Sequence, residues 1–168
     1  TSINIPDGIT VIPYSCFSSC TEMSTITGCK NVSSIGEYAF ANSHLTSYPF
    51  GNSLKSIDRS AFQYSYLVSV TIPGSVRTIG EYAFYACSYL EEVIFEEGNT
   101  FVGSHMFLRC KQLSKVSLAS TITRIDYGAF CEVGIETIAL PTGLTDLVEA
   151  CFYECPNLVS IDIPTGVT

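Results

Sequence analysis

The stretch Leu67–Leu90, LVSVTIPGSVRTIGEYAFYACSYL, contains one complete unit of a repeat that runs through the whole chain. Its marker is a phenylalanine that recurs every 22 or 23 residues, at Phe17, Phe40, Phe62, Phe84, Phe107, Phe130 and Phe152. An aliphatic residue stands five positions before each of them and another stands eight positions before six of them, while Asn99 interrupts the fifth unit. Self-similarity at this period is typical of stacked-repeat architectures, so the sequence predicts a solenoid of about seven units.

Alternation within the unit predicts a half-buried strand followed by two shorter elements. In VSVTIP, a period of two directs Val70 and Ile72 inward and leaves Ser69 and Thr71 outward on a parallel sheet. The segment VRTIG predicts a second short strand, and EYAFYAC predicts a single helical turn with Phe84 inward. The expected fold is therefore β-rich, with one helical turn in each repeat.

Composition excludes several classes of function. The chain has 168 residues, of which 46% are hydrophobic and 14% charged, and its formal net charge is −8. An acidic chain of this kind has no electrostatic footprint for nucleic acid or for an anionic membrane surface. No apolar stretch approaches the ~18 to 20 residues of a membrane span, and the first residues do not resemble a signal peptide, so we expect any anchor to lie outside this sequence.

The repeat resembles the BspA-like, or Treponema-type, leucine-rich repeat. The resemblance rests on the Ile72-Pro73 pair, on the Ala83-Phe84 pair and on the cysteine three residues after the phenylalanine, and it covers residues 1–168. It implies a single leucine-rich-repeat solenoid of the right-handed α/β superhelix type with a parallel concave sheet. It further implies an extracellular or cell-surface protein that attaches microbes to host or matrix proteins, and the matching phase of both ends suggests a piece of a longer array.

Two surfaces are candidates for a protein ligand. Most tyrosines flank the predicted helical turn, and in the best-formed unit, Leu67–Leu90, these are Tyr82, Tyr85 and Tyr89. Tyrosine is favoured in interfaces because it offers a large, stiff, amphipathic area. The outward residues of two neighbouring strands, Ser69, Thr71, Glu92 and Ile94, form the second candidate surface. The alternative interpretation is a structural spacer, or a scaffold that associates with itself end to end and binds no ligand here.

The eight cysteines follow the repeat, so we expect mostly buried free thiols. Cys87 and Cys110 occupy the same position in adjacent units, near 5 Å apart by strand spacing, and are the one disulfide predicted. The CFSSC and CFYEC strings lie six units apart, too far to share a zinc ion. No metal or cofactor site is predicted.

Three further features of the sequence have residue types that occur in chemical sites. The acidic segment around Glu92 and Glu96 is interpreted as a solvated patch with a Glu92–Lys115 ion pair, because calcium needs more oxygen ligands. His44 and His105 have no nucleophile or carboxylate at a matching position, so the protein is not predicted to be an enzyme. Asn31 begins Asn-Val-Ser, an acceptor motif for N-linked glycosylation expected in an exposed turn.

Overall fold

A computed structural model describes all of residues 1–168 and consists almost entirely of short strands and turns. The strands are β1 (Ser2–Asn4), β2 (Val11–Ile12), β3 (Thr25–Thr27), β4 (Ser34–Ile35), β5 (Ser56–Ile57), β6 (Ser69–Ile72), β7 (Thr78–Ile79), β8 (Glu92–Phe95), β9 (Phe101–Val102), β10 (Lys115–Ser117), β11 (Arg124–Ile125), β12 (Thr137–Ile138), β13 (Asp146–Leu147) and β14 (Ser160–Ile161). The one helical element is the 3₁₀ turn Cys29–Asn31. No helix has the length and apolarity that crossing a membrane requires.

The strands form two faces of the solenoid, each made of parallel strands, as the repeat predicts. The first strands of the repeats form the long-strand face, with ladders β1-β3, β6-β8-β10 and β12-β14. The second strands form the short-strand face, with ladders β2-β4-β5-β7 and β9-β11-β13. Every pairing is parallel and joins equivalent positions of adjacent repeats, such as Val70 with Val93. Val70 and Ile72 are buried and Ser69 and Thr71 exposed, which confirms the predicted alternation.

The long-strand face is less continuous than the repeat suggests, since residues 46–50 form no strand. Here the inward positions hold Tyr48 and Phe50 instead of aliphatic residues, and the Tyr48 ring packs 5.3 Å from Phe40 and 5.4 Å from Phe62. Pro49 also lacks the N–H that a ladder needs. Two large rings and a proline thus replace one strand without interrupting the core.

A stack of phenylalanine rings forms the centre of the solenoid. The marker phenylalanines of all seven repeats lie ring over ring, at centroid distances of 5.1 to 5.7 Å. The middle five, from Phe40 to Phe130, are completely buried. Within this stack each ring is paired only with the rings of the adjacent repeats, as expected for a quasi-one-dimensional core.

The predicted helical turn around each phenylalanine is wrong. The second residue before and the second after the phenylalanine both have positive φ, for example Tyr82 at 60° and Ala86 at 52°. Alternate N–H groups consequently point along the solenoid axis: Phe84 donates to Met106 O at 3.0 Å in the next repeat, whereas Tyr85 donates to Tyr82 O at 2.9 Å within the turn. An α-helix would direct all of them to its own carbonyls. The turn is instead a non-helical loop whose alternate N–H groups form hydrogen bonds with the equivalent turn of the next repeat.

The same left-handed positions recur in every repeat, and only one of them is glycine. The residues are Ser15, Ser19, Tyr38, Asn42, Ser60, Tyr64, Tyr82, Ala86, His105, Arg109, Gly128, Glu132, Ala150 and Glu154. Each non-glycine residue pays roughly 1 to 2 kcal/mol for this conformation, which the bonds to the neighbouring repeats offset. Most side chains at these positions are at least partly exposed, Ser60 being buried, and this conformation positions the candidate site.

Candidate protein-binding surface

A groove on the turn side of the solenoid brings tyrosines and arginines from four repeats together. It encloses about 380 Å³ and is lined by Tyr38, Arg59, Ser60, Gln63, Tyr82, Tyr85, Leu108 and Arg109. We call these eight residues the tyrosine–arginine groove. They come from the positions two or three residues before, and one or two after, the buried phenylalanines. Because the rings inside are stacked in register, equivalent positions outside lie side by side.

Tyr82 and Tyr85 form the aromatic part of this groove. Their ring centroids are 5.7 Å apart in an edge-to-face arrangement. The ring of Tyr64, on the turn of the preceding repeat, lies 5.2 Å from that of Tyr85. Both Tyr82 and Tyr85 are half-buried. The left-handed backbone at Tyr82 directs its ring beside that of Tyr85, so the pair is already arranged as a contact surface.

Two guanidinium groups border the rings. Arg109 Nε donates to Glu132 Oε1 at 3.0 Å and Arg109 Nη1 donates to Tyr85 Oη at 3.2 Å. The hydrogen bond to Glu132 raises the pKa of Arg109 and fixes its charge. The Arg59 guanidinium lies 5.9 Å from the centroid of the Tyr82 ring, in cation–π contact. Arg59 forms no ion pair.

His105 continues the aromatic surface beyond Tyr82. Its ring stacks on Tyr82 at 4.8 Å and meets Tyr127 edge to face at 5.0 Å. Its Nδ1 lies 3.0 Å from Ser104 Oγ. The ring also covers Gly128, where an added Cβ would lie only 2.8 Å from His105 Cδ2. His105 therefore packs between two tyrosine rings, with the Ser104 hydroxyl at its Nδ1.

Tyr89, predicted to act with Tyr82 and Tyr85, belongs to a separate cluster. Its ring lies 4.7 Å from Tyr66, and Tyr66 stacks on His44 at 4.2 Å. These rings follow the cysteine position of the repeat, on the other side of the turn from Tyr82. The flanking tyrosines thus form two surfaces, and only one of them includes arginine side chains.

The second predicted surface lies on the long-strand face. Ser69 pairs with Glu92 and Thr71 with Ile94 in adjacent strands; Ser69 and Thr71 are exposed, Ile94 is 37% exposed and Glu92 is half-buried. Lys115 lies beside Glu92 in the register, as expected. The predicted ion pair between them is wrong, because the two charges do not come within 4.0 Å. The two outward pairs are mostly polar, and Glu92 is the one charged residue among them.

All eight cysteines are free in the structure. Cys87 Sγ donates to Phe62 O and Cys110 Sγ donates to Phe84 O, each at 3.1 Å, so each thiol binds the phenylalanine carbonyl of the preceding repeat. Burial raises the pKa of Cys110 well above its ordinary value. The Cys87–Cys110 disulfide stays a prediction. Buried thiols are confirmed for most positions, but Cys16 is exposed.

The remaining candidate residues have structural contacts. Asn31 is half-buried rather than exposed, and its Nδ2 donates to Asp7 O at 2.9 Å. Glu96 Oε2 accepts from Gly74 N at 3.1 Å, and Glu97 accepts from Ser120 N at 2.9 Å. These carboxylates connect repeats, and no three potential ligands among His, Cys, Asp and Glu converge on a metal site.

Sequence reasoning missed the arginines of the groove. Arg59 and Arg109 stand at different positions of different repeats, three before one phenylalanine and two after another. Gln63 lies in a third position, one residue after Phe62. The signal in the sequence was the position of each residue relative to its phenylalanine. Once the backbone conformation is known, this position places these residues on one side of the stacked turns.

Comparisons with known proteins agree with this architecture. A family model described as the BspA type leucine rich repeat region matches residues 1–114 and 77–168. A search of the curated proteins finds no match. A leucine-rich repeat protein from Bacteroides ovatus superposes with a TM-score of 0.74 at 26% identity, over 97% of this chain and 49% of that one.

Two further solved structures resemble the chain. A leucine rich cell surface protein from Faecalibacterium prausnitzii has a TM-score of 0.63 and 29% identity, over 96% of this chain and 38% of that one. A T. pallidum leucine rich repeat protein has a TM-score of 0.57 and 21% identity, over 78% of this chain and 75% of that one, and shows the fold alone. The chain spans about half the length of the Bacteroides protein and less of the Faecalibacterium protein.

Proposed function

The chain belongs to the BspA-type leucine-rich repeat family, and from this premise we propose that it is a protein-binding module whose tyrosine–arginine groove contacts a partner protein. The observation that carries the proposal is the assembled contact between Tyr82 and Tyr85, with Arg59 and Arg109 beside them. Tyrosine and arginine are the residue types, together with tryptophan, that most often dominate the binding energy of protein interfaces.

Two physical properties of the groove support binding. The rings are held by the solenoid and by one another, so little side-chain entropy is lost when a partner docks. Leu108 and the tyrosine rings supply apolar area, while the phenol hydroxyls and guanidinium groups supply hydrogen bonds at the edges. A groove of this composition can exclude water at its centre and remain polar at its rim.

We propose that this module acts at a cell surface in the attachment of microbes to host or matrix proteins. The F. prausnitzii structure of similar fold is described as a leucine rich cell surface protein, which supports the location. The adhesive role follows from the family resemblance alone. A repeat scaffold that presents contact side chains needs no catalytic group, and both histidines pack against tyrosine rings.

The proposal is tested with matched pairs of tyrosine substitutions. Residues 1–168 are titrated onto immobilised matrix proteins and onto epithelial cells, beside an unrelated repeat protein of the same net charge. We expect saturable binding that the double variant Tyr82→Ala/Tyr85→Ala weakens at least about tenfold. The control is Tyr66→Ala/Tyr89→Ala, which also removes two neighbouring tyrosines but leaves the groove intact.

Each other outcome assigns the function elsewhere. Equal loss in both tyrosine variants would mean that the groove has no special role. Loss confined to Ser69→Glu/Thr71→Glu would move the site to the long-strand face. If the folded protein binds neither matrix proteins nor cells, the spacer interpretation replaces the proposal. Circular dichroism confirms that each variant is folded.

A further inference from the structure

We infer that the tyrosine–arginine groove takes an acidic side chain, flanked by an apolar residue, from an extended segment of the partner, with Arg59 as its anchor. The inference rests on the proposed function and adds to it the chemistry of the ligand. It starts from the unusual placement of positive charge: the chain has eight basic and sixteen acidic residues, yet two guanidinium groups border a single groove.

Arg59 has unused hydrogen-bonding capacity. Among the four arginines, Arg109 and Arg124 form ion pairs and Arg77 donates to the carbonyls of Gly74 and Val76, whereas the Arg59 guanidinium has neither an ion pair nor a hydrogen bond within the chain. Carboxylates are close in the repeat register, since Asp58 precedes Arg59 and Glu37 and Glu81 occupy the same position in the adjoining repeats. None of them lies within 4.0 Å of it. The donors of Arg59 are therefore available to a ligand.

The geometry around Arg59 suits a carboxylate. A guanidinium packed over an aromatic ring keeps its in-plane N–H groups free, and two parallel N–H groups match the two oxygens of a carboxylate. Tyr82 supplies that ring at 5.9 Å. Arg109 holds the second positive charge in place through Glu132 and Tyr85. A carboxylate in the groove would meet one free and one anchored guanidinium.

The apolar wall sets the second part of the ligand. Leu108 and the rings of Tyr38 and Tyr82 line the same groove. A neighbouring aliphatic or aromatic side chain of the ligand would bury apolar area against them. An extended peptide segment can carry both groups, an acidic side chain and a neighbouring apolar one, and a peptide is the ligand class that the proposed function requires.

An extended polyanion fits less well than a peptide. Sulfated glycans and nucleic acids are held by rows of positive charges, and this groove has two guanidinium groups on a chain of net charge −8. That negative charge repels a polyanion beyond the groove over roughly one Debye length, about 8 Å at physiological salt. A short segment with one or two carboxylates avoids most of this repulsion.

Fluorescence anisotropy with labelled hexapeptides tests the inference. The probes are an alternating glutamate–leucine peptide and its glutamine–leucine counterpart, which differ only in charge. We expect binding of the glutamate peptide alone, weakened about tenfold by Arg59→Gln. Arg59→Lys should retain part of the affinity because it keeps the charge and loses the paired donors. Arg109→Gln should weaken binding less, since its donors are already shared with Glu132.

A matched control exists for the arginine substitutions. Arg124 is exposed to the same degree as Arg109, 55% against 54%, and also binds a carboxylate through Nε, but it lies outside the groove. Arg124→Gln should leave peptide binding unchanged. The inference would be overturned if Arg124→Gln weakened peptide binding as much as Arg59→Gln does. It would also be overturned if Arg59→Gln left the affinity for the glutamate peptide unchanged. Binding of a heparin hexasaccharide that depends on Arg59, without peptide binding, would overturn it in favour of a sulfated glycan.

The two proposals can fail independently. If Tyr82→Ala/Tyr85→Ala abolishes binding to matrix proteins but the glutamate peptide does not bind, the proposed function stands and the acidic ligand is wrong. If the glutamate peptide binds through Arg59 and the protein binds no matrix protein or cell, the groove chemistry stands and the adhesive function is wrong.

Discussion

The fourth and fifth repeats carry the same phenylalanine turn but differ at the corner between their two strands. In the fourth repeat this corner contains Val76, a buried aliphatic residue that fills the column predicted by the repeat. In the fifth, Asn99 occupies the same column, equally buried at 4% exposure. Its Nδ2 donates to Ile72 O at 3.0 Å and to Glu96 O at 2.8 Å. A hydrogen-bonded amide can thus replace an apolar residue where its donors are satisfied.

The exchange has a structural consequence on the short-strand face. The ladder ends at β7 in the fourth repeat and begins again at β9 in the fifth, so the two corners are not joined by strand pairing. Hydrogen bonds from Asn99 Nδ2 to Ile72 O and from Gly74 N to Glu96 Oε2 connect the fourth and fifth repeats at this corner. Glu97 connects the fifth repeat to the sixth by accepting hydrogen bonds from Ser120 N and Oγ. The comparison indicates that the phenylalanine turn holds consecutive repeats together while the corner tolerates substitution.

If the turn is the common element, its loss should be equally costly in the regular and irregular repeats. Phe84 and Phe107 are both completely buried, and their rings stack at 5.6 Å. We expect Phe84→Ala and Phe107→Ala each to lower the free energy of unfolding by about 3 to 5 kcal/mol, because a large cavity opens in the ring stack. Urea denaturation measures both. A cost for Phe107→Ala below half that of Phe84→Ala would show that the irregular repeat is loosely packed.

Exchanging a polar and an apolar residue at the corner should lower the free energy of unfolding less than removing a phenylalanine from the turn. Asn99→Val restores the repeat pattern but removes the two hydrogen bonds to Ile72 O and Glu96 O, and we expect it to destabilise the protein by about 1 to 3 kcal/mol. Val76→Thr, the converse change in the regular corner, should cost a similar amount because its hydroxyl is buried in an apolar column. Thermal and urea unfolding report both values. If the Asn99→Val variant is more stable than the parent protein, the hydrogen bonds of the Asn99 amide do not compensate for the loss of an apolar residue at this position.

The repeat period alone predicted most of the architecture. The spacing of the phenylalanines gives the ring stack, and alternation places Val70 and Ile72 inside, since a buried column needs the same residue type at the same position in each unit. The turn conformation could not be predicted in this way. Residues such as Tyr82 and Ala86 have no intrinsic preference for positive φ and adopt it because their neighbours in the next repeat accept the hydrogen bonds.

The candidate site was predicted only in part for the same reason. Tyr82 and Tyr85 were identified from residue type and position, and they do lie together. Tyr89 was included because it also lies close in sequence to the predicted turn. The left-handed turn separates them and brings Arg59 and Arg109 to the groove from other repeats. Single-repeat patterns show which residues face outward, but the lateral arrangement depends on backbone geometry between repeats.

The smallest expected effect concerns the carboxylate that connects the fifth and sixth repeats. Hydrogen bonds from the Ser120 N–H and hydroxyl lower the pKa of Glu97 below its ordinary value of 4.5. The folded protein therefore binds this proton more weakly than the unfolded chain does. The stability that Glu97 contributes is complete above about pH 4.5 and is lost as the pH falls through its lowered pKa. Urea midpoints measured near neutral pH and in acid for the parent and Glu97→Gln should differ most at neutral pH.

A control in the same repeat separates this linkage from general charge effects. Glu92 also carries a carboxylate, but that carboxylate accepts no hydrogen bond and forms no ion pair, so Glu92→Gln removes one charge without removing a bond between repeats. We expect its urea midpoint to shift less than that of Glu97→Gln at neutral pH. Equal shifts in the two variants would show that net charge, rather than the bond to Ser120, accounts for the effect. The fifth repeat would then depend on Asn99 and the phenylalanine turn alone.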